Sequence, residues 1–211
     1  MRVGTTILIL MFLTRSYGQG TLGTGIVKIE FDGKTIVEFY SQPTDKSYSK
    51  KIEFFDDKSI NSWNIKNLKE EQSWLKPEAL WIDYSQFNFR CKSMNDEWFE
   101  VIVNNDNGQT YWIKKNPKIK LVTWESYLMD MFGVSRLDNK NQKIRKSPAD
   151  SAQEIKYEGT DCFRVKTLKG DWIEIFTGDH CDEYGSKTQI KSGWIKWRSG
   201  NNLLIEYFTT S

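Results

Sequence analysis

One histidine, three cysteines and five tryptophans carry whatever chemistry this chain performs. His180 adjoins Cys181. A thiol nucleophile needs a base within hydrogen-bond reach, and neighbours on an extended segment point to opposite sides. Cys181 therefore does not readily pair with His180, and the fold would have to bring Cys91 or Cys162 to it. Asp179, Asp182 and Glu183 flank the same histidine. They lack structural zinc spacing and read as an exposed acidic loop, so no metal is expected. Glycoside chemistry needs two facing carboxylates about 5–10 Å apart, and no motif selects two of the 28 acidic residues. There is no glycine-rich phosphate loop, and no cofactor is expected. The chain reads as non-catalytic.

The aromatic residues remain. Trp98, Trp112, Trp172, Trp194 and Trp197 fall on strand-like runs and are the candidate ligand-binding residues, because Trp supplies rigid contact area at recognition surfaces. Strand alternation puts Trp194 and Lys196 on one face and Ile195 and Trp197 on the other. One of those faces is core; the other is exposed or covered by a helix.

The elements that position these residues are read twice. Phe89-Arg-Cys-Lys-Ser-Met-Asn-Asp-Glu-Trp-Phe-Glu-Val101 returns as Phe163-Arg-Val-Lys-Thr-Leu-Lys-Gly-Asp-Trp-Ile-Glu-Ile175. Each run is followed by a second one, Tyr111-Trp-Ile-Lys-Lys115 and Gly193-Trp-Ile-Lys-Trp197. Upstream, Ser41-Gln-Pro-Thr-Asp45 is echoed by Lys146-Ser-Pro-Ala-Asp150. Strands recur at roughly ten-residue spacing between Gly/Asn/Asp turns, the mark of a small barrel or sandwich. Ile26–Phe31 and Thr35–Phe39 are expected to pair through a turn at Asp32-Gly33, and residues 20–25 to be loose. Lys76-Pro-Glu-Ala-Leu80 suggests a helical turn, and Pro117 ends the strand character. Trp124, Tyr127, Leu128 and Met131 share one helical face. Thr123 suits the N-cap of that helix, and Gly133 its C-terminal stop.

The N-terminus has the order of an export signal: Arg2, an apolar core at Ile7–Leu13, and small residues at Ser16-Tyr-Gly18, with Gln19 as the mature start. The apolar run is too short for a lasting membrane anchor. A periplasmic or secreted location is expected, which permits a disulfide. Cys162 and Cys181 are the preferred pair, with all three cysteines reduced as the open alternative. The chain has 30 basic and 28 acidic residues, a net charge of +2. That balance gives no basic face for nucleic acid, and the Lys-rich stretch 114–120 reads as a solvated connector.

The paired runs Gly170-Asp-Trp-Ile-Glu-Ile175 and Ser192-Gly-Trp-Ile195 resemble the bacterial SH3-like barrel family. Glu97-Trp-Phe-Glu-Val101 with Tyr111-Trp-Ile113 resembles it more distantly, since Tyr111 replaces a glycine. The resemblance implies binding of cell-wall material or peptide, or service beside a wall hydrolase. The expected fold class is all-β with one short linking helix and two small SH3-like β-barrel modules. The expected organisation is a signal peptide at 1–18, a first module at 19–120 with an insertion near 56–85, a helical connector at 121–141 and a second module at 142–211. The expected function is an exported binding or scaffold protein for a peptide, a peptidoglycan fragment or a protein partner. The alternatives are an assembly subunit with a permanent aromatic interface and, further off, a cell-wall hydrolase. The oligomeric state is open.

Overall fold

Buried apolar residues alternate with half-exposed ones in strand after strand, as a sheet with one covered face requires. The computed structural model describes residues 21–66, 68–71, 73–178 and 189–209. The expected signal peptide, the 179–183 cluster with His180, and Cys181 therefore lie outside the described residues. The described residues form an all-β fold with one short linking helix (Trp124–Met129) besides a single α-helical turn. Its first half holds β1 (Gly25–Ile29), β2 (Ile36–Phe39), β3 (Lys50–Asp57), β4 (Ser62–Ile65), the single helical turn α1 (Leu68–Glu71) and β5 (Ala79–Trp81). A 3-10 turn at Ile82–Tyr84 leads to β6 (Gln86–Met94), β7 (Trp98–Asn104), β8 (Gln109–Lys114) and β9 (Ile119–Val122). Helix α2 (Trp124–Met129) precedes β10 (Gly133–Arg136), β11 (Ile144–Arg145), β12 (Glu154–Ile155), β13 (Phe163–Lys169) and β14 (Trp172–Thr177). The described chain closes with β15 (Gly193–Lys196), β16 (Arg198–Ser199), β17 (Asn202–Leu203) and β18 (Ile205–Phe208).

The repeat read in the sequence is also a repeat of pairing. One sheet runs β8-β7-β6-β1-β9; the other contains β15-β14-β13-β10-β18 and continues past β15 through β11 and β12. The five-strand orders coincide when β1 is matched with β10 and β9 with β18. Register agrees as well. Cys91 faces Val101 and Ser93 faces Glu100, with a bulge at Lys92. Val165 faces Ile175 and Thr167 faces Glu174, with a bulge at Lys166. Trp98 then faces Lys114 as Trp172 faces Lys196, and Glu100 faces Trp112 as Glu174 faces Trp194. The residue just before the upstream echo takes the same part in both copies: Tyr40 bridges to Trp112, and Arg145 pairs with Trp194.

Two apolar cores result. The first gathers Val27, Phe39, Ile52, Phe87, Phe89 and Ile113; the second gathers Phe163, Ile173, Ile175, Ile195, Trp197 and the buried face of α2. Thr123 caps α2 by accepting a bond from the Ser126 amide at 3.1 Å. The helix is shorter than its apolar period suggests and ends before Gly133, which opens β10 instead. A side chain at Gly133 would collide with the Phe208 ring on β18, so that glycine serves strand approach and not a helix stop.

Other expectations need correcting. The turn at Asp32 forms, with the Thr35 amide bonded to the Asp32 carbonyl at 3.0 Å, but it joins no hairpin. Both edges of β1 are occupied by β6 and β9, so β2 turns away to pair with β3. Residues 21–25 are not loose: Leu22 is buried and the Thr24 amide bonds the Cys91 carbonyl at 2.7 Å. The stretch from Lys76 is extended, with a bridge to Asn104 and then β5. Strand character resumes after Pro117 as β9, and β10, inside the expected connector, belongs to the second sheet.

Candidate functional site

Four of the five candidate tryptophans lie on the outer faces of the repeated meanders. Inward residues Phe99, Val101, Ile173 and Ile175 are buried, so Trp98, Glu100, Trp172 and Glu174 point outward. Trp112 and Trp194 stand opposite the two glutamates and are half-buried. Trp197 is the exception and is corrected here to a core residue. It is 2% exposed, it packs against Trp124 at 5.4 Å, and its indole N–H donates to the Gly170 carbonyl at 2.9 Å. No ligand reaches it without unfolding the second core.

Around Trp172 the outer face becomes concave. The segment after β10 and the segment before β18, joined by the Leu137 amide bonding the Leu204 carbonyl at 3.0 Å, rise beside it and help enclose a groove of about 330 Å³. Leu137, Leu204 and Trp172 give it apolar walls, and Arg145, Asp150 and Lys196 give it charges of both signs. The Lys196 ammonium lies 5.3 Å from the Trp172 ring centroid and pairs with Asp150 at 2.7 Å. A cation over an indole face is attracted by the ring quadrupole, so this contact ties the ring to Lys196. Arg145 donates to the Ala152 carbonyl at 3.1 Å, which turns its guanidinium aside. Next to Leu137, outside the groove lining, the Arg136 side chain is buried and forks onto both oxygens of Asp161, at 2.6 and 2.7 Å. That bidentate pair fixes the root of the loop carrying Leu137.

The first copy has a smaller groove near the matched position, about 250 Å³, with Ile36, Tyr40, Ile113 and Lys114 in its walls and Trp98 outside its lining. Here Tyr40 occupies the place of Arg145. Its ring meets Trp98 edge-on at 5.1 Å, and its hydroxyl donates to Glu38 at 2.7 Å. That hydrogen bond to Glu38 raises the Tyr40 pKa, so the phenol keeps its proton. Lys114 sits 6.0 Å from the Trp98 ring centroid, as Lys196 sits over Trp172.

The cysteines separate by environment. Cys91 is free and fully buried, and burial raises its thiol pKa, which opposes the thiolate a nucleophile requires. Cys162 is disulfide-bonded. Its preferred partner, Cys181, lies outside the described residues. Among the described residues no group of three or more His, Cys, Asp or Glu side chains is placed to hold a metal ion. No helix among them is long and apolar enough to cross a membrane.

Sequence reasoning picked out the tryptophans but missed the residues that make one of them a groove: Leu137, Arg145, Asp150, Lys196 and Leu204. A signal existed. The echoed segments begin directly after Tyr40 and Arg145, the two residues that meet Trp112 and Trp194.

No family model matches the chain, and no curated protein matches it. Among solved structures it is similar to a protein described as NlpC2 from Trichomonas vaginalis, at 10% identity and a TM-score of 0.30. That alignment covers 88% of this chain and 49% of the other, so the chain spans about half the length of that protein.

Proposed function

We propose that the chain is an exported, non-catalytic binding protein whose second copy takes an extended peptide segment in the groove beside Trp172. The segment is either the peptide part of a cell-wall fragment or a stretch of a protein partner. The observation that carries this reading is the groove itself: a half-buried indole and two leucines, with Lys196 paired to Asp150 and with Arg145 and Asp138 also in the lining. Apolar walls with a few placed polar groups suit a ligand that is itself amphipathic and charged at intervals. The strand order β9-β1-β6-β7-β8, repeated as β18-β10-β13-β14-β15, supports reading both copies as SH3-like barrels.

The test is intrinsic tryptophan fluorescence of the mature chain, Gln19 onward, titrated with soluble peptidoglycan fragments and with their stem peptides alone. The expected result is a saturable change with a Kd of roughly millimolar or tighter, produced by the peptides alone and lost in Trp172→Ala. No change with either probe in folded protein would sink the cell-wall reading and leave the protein partner, and a response that survives Trp172→Ala would sink the site.

A further inference from the structure

The insertion of the first copy has no counterpart in the second, and it holds a second concavity. A cleft of about 390 Å³ opens between β4 and the 3-10 turn and shares no lining residue with either groove. Trp63 and Ile82 supply its apolar lining; Asp56, Asn61, Ser62, Asp83 and Ser85 supply most of the rest.

Three observations mark this cleft. First, the two non-glycine residues with positive φ among the described residues are Asn61 (50°) and Ser85 (53°), and both line it. Asparagine tolerates left-handed backbone in turns, whereas for serine it is uncommon, and such positions gather at functional sites. Second, of the described tryptophans, the two most exposed are Trp63 (36%) and Trp81 (46%), and both belong to this segment. Trp81 meets the exposed Tyr84 edge-on at 6.5 Å. Third, the polar groups are pre-set. Ser62 donates to one oxygen of Asp83 at 2.7 Å, which aims that carboxylate and leaves its other oxygen to accept. The β3–β4 pairing from Phe54–Ile65 to Asp57–Ser62 holds the floor. The Trp63 ring rests over Gly33, where a Cβ would stand 2.8 Å from it.

Such a lining suits neither a greasy peptide nor a polyion. Its charges are few, and Lys58 is tied to Asp56. What it offers is an aromatic face beside amide, hydroxyl and carboxylate groups able to donate and accept. A sugar ring has the complementary form, with a C–H face to lie on an indole and a rim of hydroxyls to share hydrogen bonds. We propose that the insertion carries a carbohydrate-binding cleft, with Trp63 as the stacking platform and Asp83, Asn61 and Ser85 as hydroxyl partners. The proposal does not depend on the groove at Trp172.

Isothermal titration of the full chain with chitin, cellulose and starch oligosaccharides tests it. At least one probe is expected to bind saturably. Its affinity should fall roughly tenfold or more in Trp63→Ala and in Asp83→Asn, and stay unchanged in Trp172→Ala. Trp63→Phe keeps a ring over Gly33, so an intermediate loss there separates lost stacking from lost folding. The proposal is overturned if none of the three probes binds at about 10 mM, or if binding survives both cleft variants. It is also overturned if light scattering shows a dimer that Trp63→Ala dissociates, since the platform is then a contact between copies. Stem-peptide titration of the same variants reads the Trp172 groove separately.

Discussion

The two copies share a backbone plan and differ in what stands at matched positions. At the end of the third meander strand, Lys115 in the first copy corresponds to Trp197 in the second. Both backbone amides bond the same turn, to the Glu97 and Asp171 carbonyls at 2.8 and 3.0 Å. Both side chains also reach back to that turn, Lys115 to the Asn95 carbonyl and Trp197 to the Gly170 carbonyl. One does so from solvent and the other from the core. Further along, Ile29 in the first copy is matched by the buried Arg136–Asp161 pair in the second. Tyr40, matched by Arg145, covers Trp98, while Trp172 stays open to its groove. A duplicated scaffold thus keeps its hydrogen-bond ladder fixed and varies the residues around it, so one copy has become more closed and the other more accessible.

The largest test of that comparison is Trp197→Ala against Lys115→Ala. Truncating the buried indole should cost about 3–5 kcal/mol, whereas the surface lysine should cost less than about 1 kcal/mol; urea denaturation reads both. Next, Arg136→Ala leaves Asp161 buried without its partner and should cost about 3–5 kcal/mol. Arg136→Met combined with Asp161→Leu, which makes the site apolar as it is around Ile29, should recover most of that loss. If the double variant is no better than the single one, the pair holds the loop by geometry that apolar packing does not replace.

A binding experiment sharpens the contrast between grooves. Tyr40→Ala uncovers Trp98 and should add a second, weaker binding event for the peptides that occupy the Trp172 groove. Unchanged stoichiometry would mean that the first groove differs by more than its tyrosine.

The smallest effect concerns the matched carboxylates. Burial acts to raise the Glu100 pKa, but bonds from Lys92, Ser93 and Thr110 outweigh it and leave it below the ordinary 4.5. Glu174 is lowered chiefly by its bond from Ser192, with help from Lys166. For a lowered carboxylate the stabilisation is present above pH 4.5 and is lost as pH falls through the lower folded value. Glu100→Gln and Glu174→Gln should each flatten the acid limb of a stability–pH curve by less than about 1 kcal/mol. Equal slopes in the variants and the parent would remove these glutamates from the account.

Much of the plan was legible before any coordinates. Phe, Arg, Lys, Trp and Glu recur at fixed offsets because each sits at a register position that the duplicated bulge preserves. The helix declared itself through Trp124, Tyr127 and Leu128. Its end did not, because Gly133 answers to Phe208, a residue far along the chain. β9, β10 and β11 are two to four residues long and exist by pairing with distant strands, so local pattern carries little trace of them. The groove was hidden for the same reason: its walls come from segments far apart in the sequence that strand pairing brings together, and neither alone has a signature.

Strand β1 has a consequence for how the molecule comes apart. Val27 and Ile29 face the first core, while Ile26, together with Leu22, belongs to the second. Trp124 reinforces this by donating to the Leu22 carbonyl at 3.1 Å. Five residues near the start of the described chain are thus built into both halves. Neither half can melt without exposing apolar surface that the other was covering. Calorimetry should show a single endotherm despite two cores, and the β1 amides should be among the last to exchange their hydrogens for deuterium.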